Sequence, residues 1–190
     1  MSHEDWVFLS GKTASGASVT LRPIHTEDTD LIGRWGNSEK LRQALCIDYP
    51  RTYENIAGLV RSIVEGKEAN PSSVSFAISV EKQFIGCCGL YNISLCHRHA
   101  ILGMYIGDES FQGVGIGSTV YTMLLNYGFR ELDLRIVKAQ LCRNNISSQK
   151  LHEKMGFVQT GCDPEWEYVN GNYEDLLTYC IIKTHWVKAE

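Results

Sequence analysis

The residues best placed to do chemistry lie in Gln112-Gly113-Val114-Gly115-Ile116-Gly117-Ser118, where three glycines fall within five positions. Glycine lets backbone N–H groups approach a ligand with no Cβ between them, and a positive φ costs it little. From Ser118 onward Val120, Tyr121, Leu124, Leu125 and Phe129 recur near a 3.6-residue period, so a helix is predicted to start where the loop ends. Its unpaired N–H groups and the positive end of its dipole face the turn. Together these make an anion site, most naturally for phosphate. No Gly-Lys-Ser/Thr closes the loop, which argues against a nucleoside-triphosphate site. The spacing is not Gly-x-Gly-x-x-Gly either, and too few residues follow to complete a dinucleotide-binding sheet.

A strand on each side must hold this loop. Ala100–Ile106 is apolar and β-prone and is broken by Asp108–Ser110. After the helix, Leu134–Cys142 alternates Ile136, Lys138 and Gln140 with Val137, Ala139 and Leu141, as a strand does. A strand joined to its predecessor through a helix is expected to run parallel to it. A second helix then begins near Asn145, and Asn145 is well suited to cap it.

Two motifs in this stretch carry a resemblance. Gln112-x-x-Gly115-x-Gly117 resembles the pyrophosphate loop of the GCN5-related N-acetyltransferase superfamily. Asn145-Ile-Ser-Ser148-Gln-Lys-Leu151-His152-Glu-Lys154-Met-Gly156-Phe157 resembles its second signature, an Asn-x-x-Ser/Ala helix ending in Lys-x-Gly-Phe. The likeness runs more loosely over residues 18–187 and is nearest to the ribosomal-protein-alanine and spermidine acetyltransferase branch. Leu21-Arg22-Pro23 and Trp35-Gly36-Asn37 are similar to the opening of that branch.

The resemblance implies an α+β fold, a central mixed, mostly antiparallel sheet of about seven strands with one splayed pair, flanked by about four helices. It implies acetyl-coenzyme A as co-substrate. The pyrophosphate would rest on Gln112, Gly113, Val114, Gly115, Ile116, Gly117 and Ser118. The pantetheine arm would lie in the wedge beside Met104, Tyr105 and Ile106, with Asn145 and Ser148 meeting it from the other side. Many family members place a tyrosine, as the acid for the leaving thiolate, where this chain has His152. Imidazole can donate a proton near neutral pH, so His152 is the candidate general acid. Branch members often place a glutamate where this chain has Thr119; Asp108, Glu109 and His25 are candidates for a base by location alone. The implied activity is acetyl transfer to a primary amine: a protein N-terminus, a polyamine, an amino sugar or a similar small amine. The alternative is a non-catalytic acyl-coenzyme A-binding regulatory module, motivated by the missing tyrosine and glutamate. A homodimer is also implied.

The remainder of the chain supplies the frame. Residues 1–17 read as a leader with a short strand at residues 6–9, and residues 18–190 as a single acetyltransferase domain. Strands are predicted at Ser18–Pro23, Ser73–Val80, Phe84–Ile93, Phe157–Gly161 and Leu176–Lys183. Helices are predicted from Thr26 to Gly36 and from Tyr53 to about Glu65, where Ile56, Leu59, Val60 and Ile63 share a face. Cys162–Tyr173, with Asp163, Glu165 and Glu167, reads as a solvated acidic loop; the sharper reading is an acidic lip that attracts a cationic amine. Cys96-His97-Arg98-His99 reads as a polar turn, and no metal is assigned. A net charge of −4 with no Lys/Arg-rich run disfavours nucleic acid as the main ligand. No apolar run reaches the ~18 residues of a membrane helix. Seven cysteines without Cys-x-x-Cys spacing read as reduced core residues, and the chain as cytoplasmic.

Overall fold

In the computed structural model, which describes residues 9–46, 50–66 and 72–188, eight strands form a single sheet. They are β1 (Leu9–Lys12), β2 (Ser18–Arg22), β3 (Val74–Val80), β4 (Gln83–Ser94), β5 (His99–Ile106), β6 (Ile136–Cys142), β7 (Val158–Val169) and β8 (Asn172–Ile182). Their order is β1-β2-β3-β4-β5-β6-β8-β7, and only β5 and β6 are parallel. The helices are α1 (Thr29–Gly36), α2 (Glu39–Ala44), α3 (Tyr53–Val64), α4 (Ile116–Asn126), α5 (Ile146–Lys154) and α6 (Lys183–Lys188). No described helix is long and apolar enough to cross a membrane. The strand beyond the expected number is β1, which lies in the expected leader and pairs with β2; residues 6–8 of the short strand expected there lie outside the described residues.

The sheet is covered on both faces, which is why β3 and β4 are apolar almost throughout. Phe76, Ile78 and Cys88 meet Val120, Leu124, Leu125 and Phe129 of α4 and its following turn in the main core. Ala77, Phe84 and Cys87 meet Ile56 and Val60 of α3 on the opposite face, with Trp35 packed against them. The periodicity of α3 is correct in phase but broader than the contact, because Leu59 is exposed. Thr52 caps α3 by accepting from Asn55 N at 3.2 Å.

Arg22 closes this second face. Its Nη1 and Nη2 donate to Asp28 Oδ2 and Oδ1, each at 2.8 Å, while Asp28 Oδ2 also accepts from His25 N. The hydrogen bonds to Asp28 hold the guanidinium pKa above its usual value. Replacing Arg22 with Met would leave a buried carboxylate without its cation, so Arg22→Met is expected to cost about 3 kcal/mol of unfolding free energy in a denaturant titration. A loss below about 1 kcal/mol would mean that solvent already screens the pair.

The largest departure from expectation is at the C-terminal end. Cys162–Tyr173 is not a loop: β7 runs through to Val169 and turns at Asn170-Gly171 into β8. Asn170 and Gly171 both take positive φ, 50° and 84°, as a tight hairpin turn requires. Pro164 and the acidic residues hide the strand, and the register shifts between Asp163 and Glu167 break its alternation. The Asn-Gly dipeptide was the legible signal.

Candidate active site

The strand pair around the glycine loop diverges. β5 pairs with β6 only through His99, Ala100 and Ile101. Beyond Ile101, β5 keeps its ladder with β4 as far as Ile106, whereas β6 keeps only its ladder with β8. A cavity of about 540 Å³ extends from this gap to the glycine loop. All of the expected cofactor-contacting residues line it except Val114, whose side chain is exposed, and Ile116, whose side chain is in the core.

The helix begins earlier than its apolar period indicates. Gly115 is the N-cap, with φ 90°, and α4 starts at Ile116, which puts Gly117 and Ser118 in its first turn. Glycine has no side chain to mark a period, so that turn was invisible to the pattern. Lys150 and Lys154 line the same cavity from α5, adding cations to a helix N-terminus that already favours an anion. A diphosphate therefore fits by charge and by the absence of side chains at Gly113 and Gly115, where an added Cβ would meet nothing within 4 Å.

Asn145 caps α5: its Oδ1 accepts from Ser148 N at 3.1 Å and from the Ser147 hydroxyl at 3.0 Å. Its Nδ2 donates to Ala44 O at 3.0 Å, which fastens α2 across the gap. Ser38, Lys40, Leu41, Ala44 and Leu45 thus form a wall of the cavity that no sequence motif indicated.

His152 lies on α5, 2% exposed, at the edge of a second chamber of about 260 Å³ that shares Ala44, Leu45, Met104, Tyr121, Asn145 and Ser148 with the first. Its Nδ1 is 2.7 Å from Ser148 O. A carbonyl only accepts, so Nδ1 carries the proton and Nε2 is the accepting nitrogen of a neutral ring. The Tyr121 hydroxyl, 3.0 Å away, donates to it. Phe157 and Tyr179 pack on the imidazole, with ring centroids at 5.1 and 5.4 Å. Burial lowers the His152 pKa below its ordinary value of about 6.5, opposed by the bond to Ser148. Tyr121, expected only as a core residue of the helix, is the neighbour of His152 that pattern reading missed. A buried tyrosine does require a hydrogen-bond partner, but its position on α4 does not say which.

Because the folded pKa of His152 is depressed, the unfolded chain binds more protons as pH falls through about 6.5, so stability present above that pH declines toward the folded pKa. The melting temperature is expected to fall between pH 7 and pH 5, and a His152→Gln variant is expected to flatten that part of the profile. An unchanged slope in the variant would assign the effect to other groups.

The three residues named for a base by location are not brought together. His25 lines neither cavity, and Asp108 holds Ser110 N, the Ser110 hydroxyl and Gln83 Nε2. Glu109 lines the larger cavity but is paired with Lys40 at 3.0 Å. The carboxylate that reaches the smaller chamber is Glu167 of β7.

The reading of all the cysteines as reduced is corrected at one pair. Cys46, which lines the smaller chamber just after α2, is disulfide-bonded to Cys142 at the end of β6, with Cα atoms 6.4 Å apart. They stand 96 positions apart in sequence, and spacing alone gave no hint. Closing so long a loop is expected to contribute about 2–4 kcal/mol, measurable as a lower melting temperature after reduction.

Comparison with known proteins agrees with this geometry. The sequence model of the acetyltransferase (GNAT) domain matches residues 18–158. The chain belongs to the GNAT acetyltransferase family. It is 25% identical over 171 residues to a spermidine N(1)-acetyltransferase of Vibrio cholerae, covering 90% of this chain and 96% of that protein. The crystal structure of the Vibrio cholerae spermidine N-acetyltransferase in complex with CoA and spermine superposes with a TM-score of 0.80 at 24% identity, covering 89% of this chain and 98% of that one. RimL, a ribosomal L7/L12 alpha-N-protein acetyltransferase solved with coenzyme A, superposes with a TM-score of 0.75 at 24% identity, covering 86% and 93%. This GNAT protein is accordingly an acetyl-coenzyme A-dependent N-acetyltransferase acting on an amine.

Proposed function

We propose that this enzyme seats the pyrophosphate of acetyl-coenzyme A on Gln112–Ser118, lays the pantetheine arm in the β5–β6 gap against Met104–Ile106, and receives a primary amine in the chamber beside His152. The divergence of β5 from β6 after Ile101, continuous with the glycine loop through one cavity, is the observation that carries this reading. Bound acetyl-coenzyme A supplies an activated thioester. The main-chain groups of β5 that face the gap are suited to hydrogen-bond the arm, and a backbone N–H near Met104–Ile106 to polarise the carbonyl. Asn145 and Ser148 would flank the arm's inner end, and Lys150 and Lys154 would balance the phosphates.

An acceptor ammonium, with a pKa of about 10, has to lose a proton before it attacks, and the departing thiolate has to gain one. The first proton of the ammonium leaves to solvent. His152 and Tyr121 would handle the second as a unit: as the nitrogen bonds to the carbonyl its excess proton passes to the Tyr121 oxygen while Nε2 takes the Tyr121 hydroxyl proton, and the imidazolium so formed, a ready donor because its pKa is depressed, returns a proton through Tyr121 to the departing sulfur. In this form His152 is the general acid acting through a phenol. The Cys46–Cys142 bond and the Asn145–Ala44 hydrogen bond would keep α2 in place as the chamber's wall.

The acceptor class follows from the relatives, a spermidine acetyltransferase and an N-terminal protein acetyltransferase, and from the chamber's small volume, which suits one amine-bearing chain end. A homodimer is proposed on the family resemblance alone, and a cytoplasmic location on the cysteines, five of which are free. Thiol release from acetyl-coenzyme A should rise on adding at least one member of a panel of polyamines, N-terminal peptides and amino sugars. Silence across the whole panel would refute the reading.

A further inference from the structure

We infer that Glu167 is the residue that selects a cationic acceptor, by binding a positive charge of the amine at the chamber opposite the cofactor's phosphates. The inference rests on the placement of acceptor and cofactor proposed above and adds a specificity-determining residue to it.

The two cavities carry opposite charge. Lys150 and Lys154 line the larger one at the end where an anion is expected. Glu167 is the only Asp, Glu, Lys or Arg among the described residues lining the smaller one; Tyr121, Gln140, Asn145, Ser148 and His152 supply its other polar side chains. His152 is neutral there, for the reasons of burial and tautomer given above. No described cation lies within ion-pair distance of Glu167, although Arg22, Arg98, Arg143, Lys40 and Lys183 all find carboxylates elsewhere. Its cross-strand neighbour on β8 is Glu174, a second carboxylate, and like charges directly opposite repel. Glu167 is thus a half-buried carboxylate that lines the chamber and is paired with no cation among the described residues. A cation delivered by the acceptor would pair with it in a charge-assisted hydrogen bond, and a neutral ligand would not.

The strand irregularity sets the residue's position. Pairing of β7 with β8 is interrupted between Asp163 and Glu167 and resumes at Glu167. Such a break re-aims the side chains that follow it. Glu165 and Asp163 are exposed, so of the three acidic residues between Cys162 and Tyr168 only Glu167 reaches the chamber.

The test compares wild type with Glu167→Gln, which keeps shape and removes charge, and Glu167→Asp, which keeps charge. Binding of 1,5-diaminopentane and of N-acetyl-5-amino-1-pentanol, a neutral ligand with no acceptor amine, is measured by calorimetry with and without coenzyme A, and acetylation kinetics are measured for the diamine. The expected result is a tenfold or greater weakening of diamine binding in Glu167→Gln, seen as a raised KM with kcat nearly unchanged, partial recovery in Glu167→Asp, and no change for the neutral compound. Coenzyme A affinity should be the same in all three proteins. Equal diamine affinity in wild type and Glu167→Gln would overturn the inference. Loss of coenzyme A uptake in the wild type would instead strike the cofactor placement, and the amine titration without coenzyme A would still decide the role of Glu167.

Discussion

Replacing Gly115 with Val is expected to reduce coenzyme A affinity at least 100-fold, about 2.7 kcal/mol, while leaving the fold intact. Gly115 holds φ at 90° as the N-cap of α4, a conformation a β-branched residue reaches only with strain of about 1–3 kcal/mol. A Cβ there meets nothing of the protein within 4 Å, and the residue lines the cofactor cavity. The added side chain therefore competes with the ligand rather than with the core. Gly117 differs: its Cβ would touch Leu151 Cδ2 at 3.2 Å and Met104 Cε at 3.4 Å, the far ends of flexible side chains that can shift. Gly117→Ala is expected to be milder, and Gly117→Leu to block the arm where it enters the gap. Calorimetric titration with coenzyme A, paired with a thermal melt, separates lost binding from lost folding. Undiminished affinity in Gly115→Val would remove the pyrophosphate from this loop.

Tyr121→Phe is expected to lower kcat by about 100-fold, with coenzyme A affinity unchanged. The substitution removes one hydroxyl and leaves His152 Nε2 without its donor, but opens no cavity. His152→Ala should lower kcat at least as much and also cost stability, because it strips a packed ring from between Phe157, Tyr179 and Tyr121. If the two residues act as one unit, the double variant will be no slower than the worse single variant. Additive losses would mean that they act separately, and an unchanged kcat in Tyr121→Phe would leave proton transfer to water.

The site's ends were legible in the chain for different reasons. The glycine loop shows itself because a backbone anion site needs residues without side chains, and at Gly113 and Gly115 the protein itself leaves open space. Asn145 shows itself because a helix N-cap has a narrow set of suitable residues, and the structure confirms the cap through Ser148 N. His152 stood out only by its place in a motif; nothing local revealed its tautomer.

What the amino-acid sequence determined by itself was the local and periodic part: the strands with clean alternation, the α3 and α4 faces, the glycine turn and the cap at Asn145, each set by neighbours a few residues apart. The tertiary structure alone decided which distant residues meet: Tyr121 with His152, Cys46 with Cys142, Asn145 with Ala44, and Glu167 with the chamber. The three pairwise contacts join residues 31, 96 and 101 positions apart. They depend on where strands diverge and bulge, and no short-range preference carries that information.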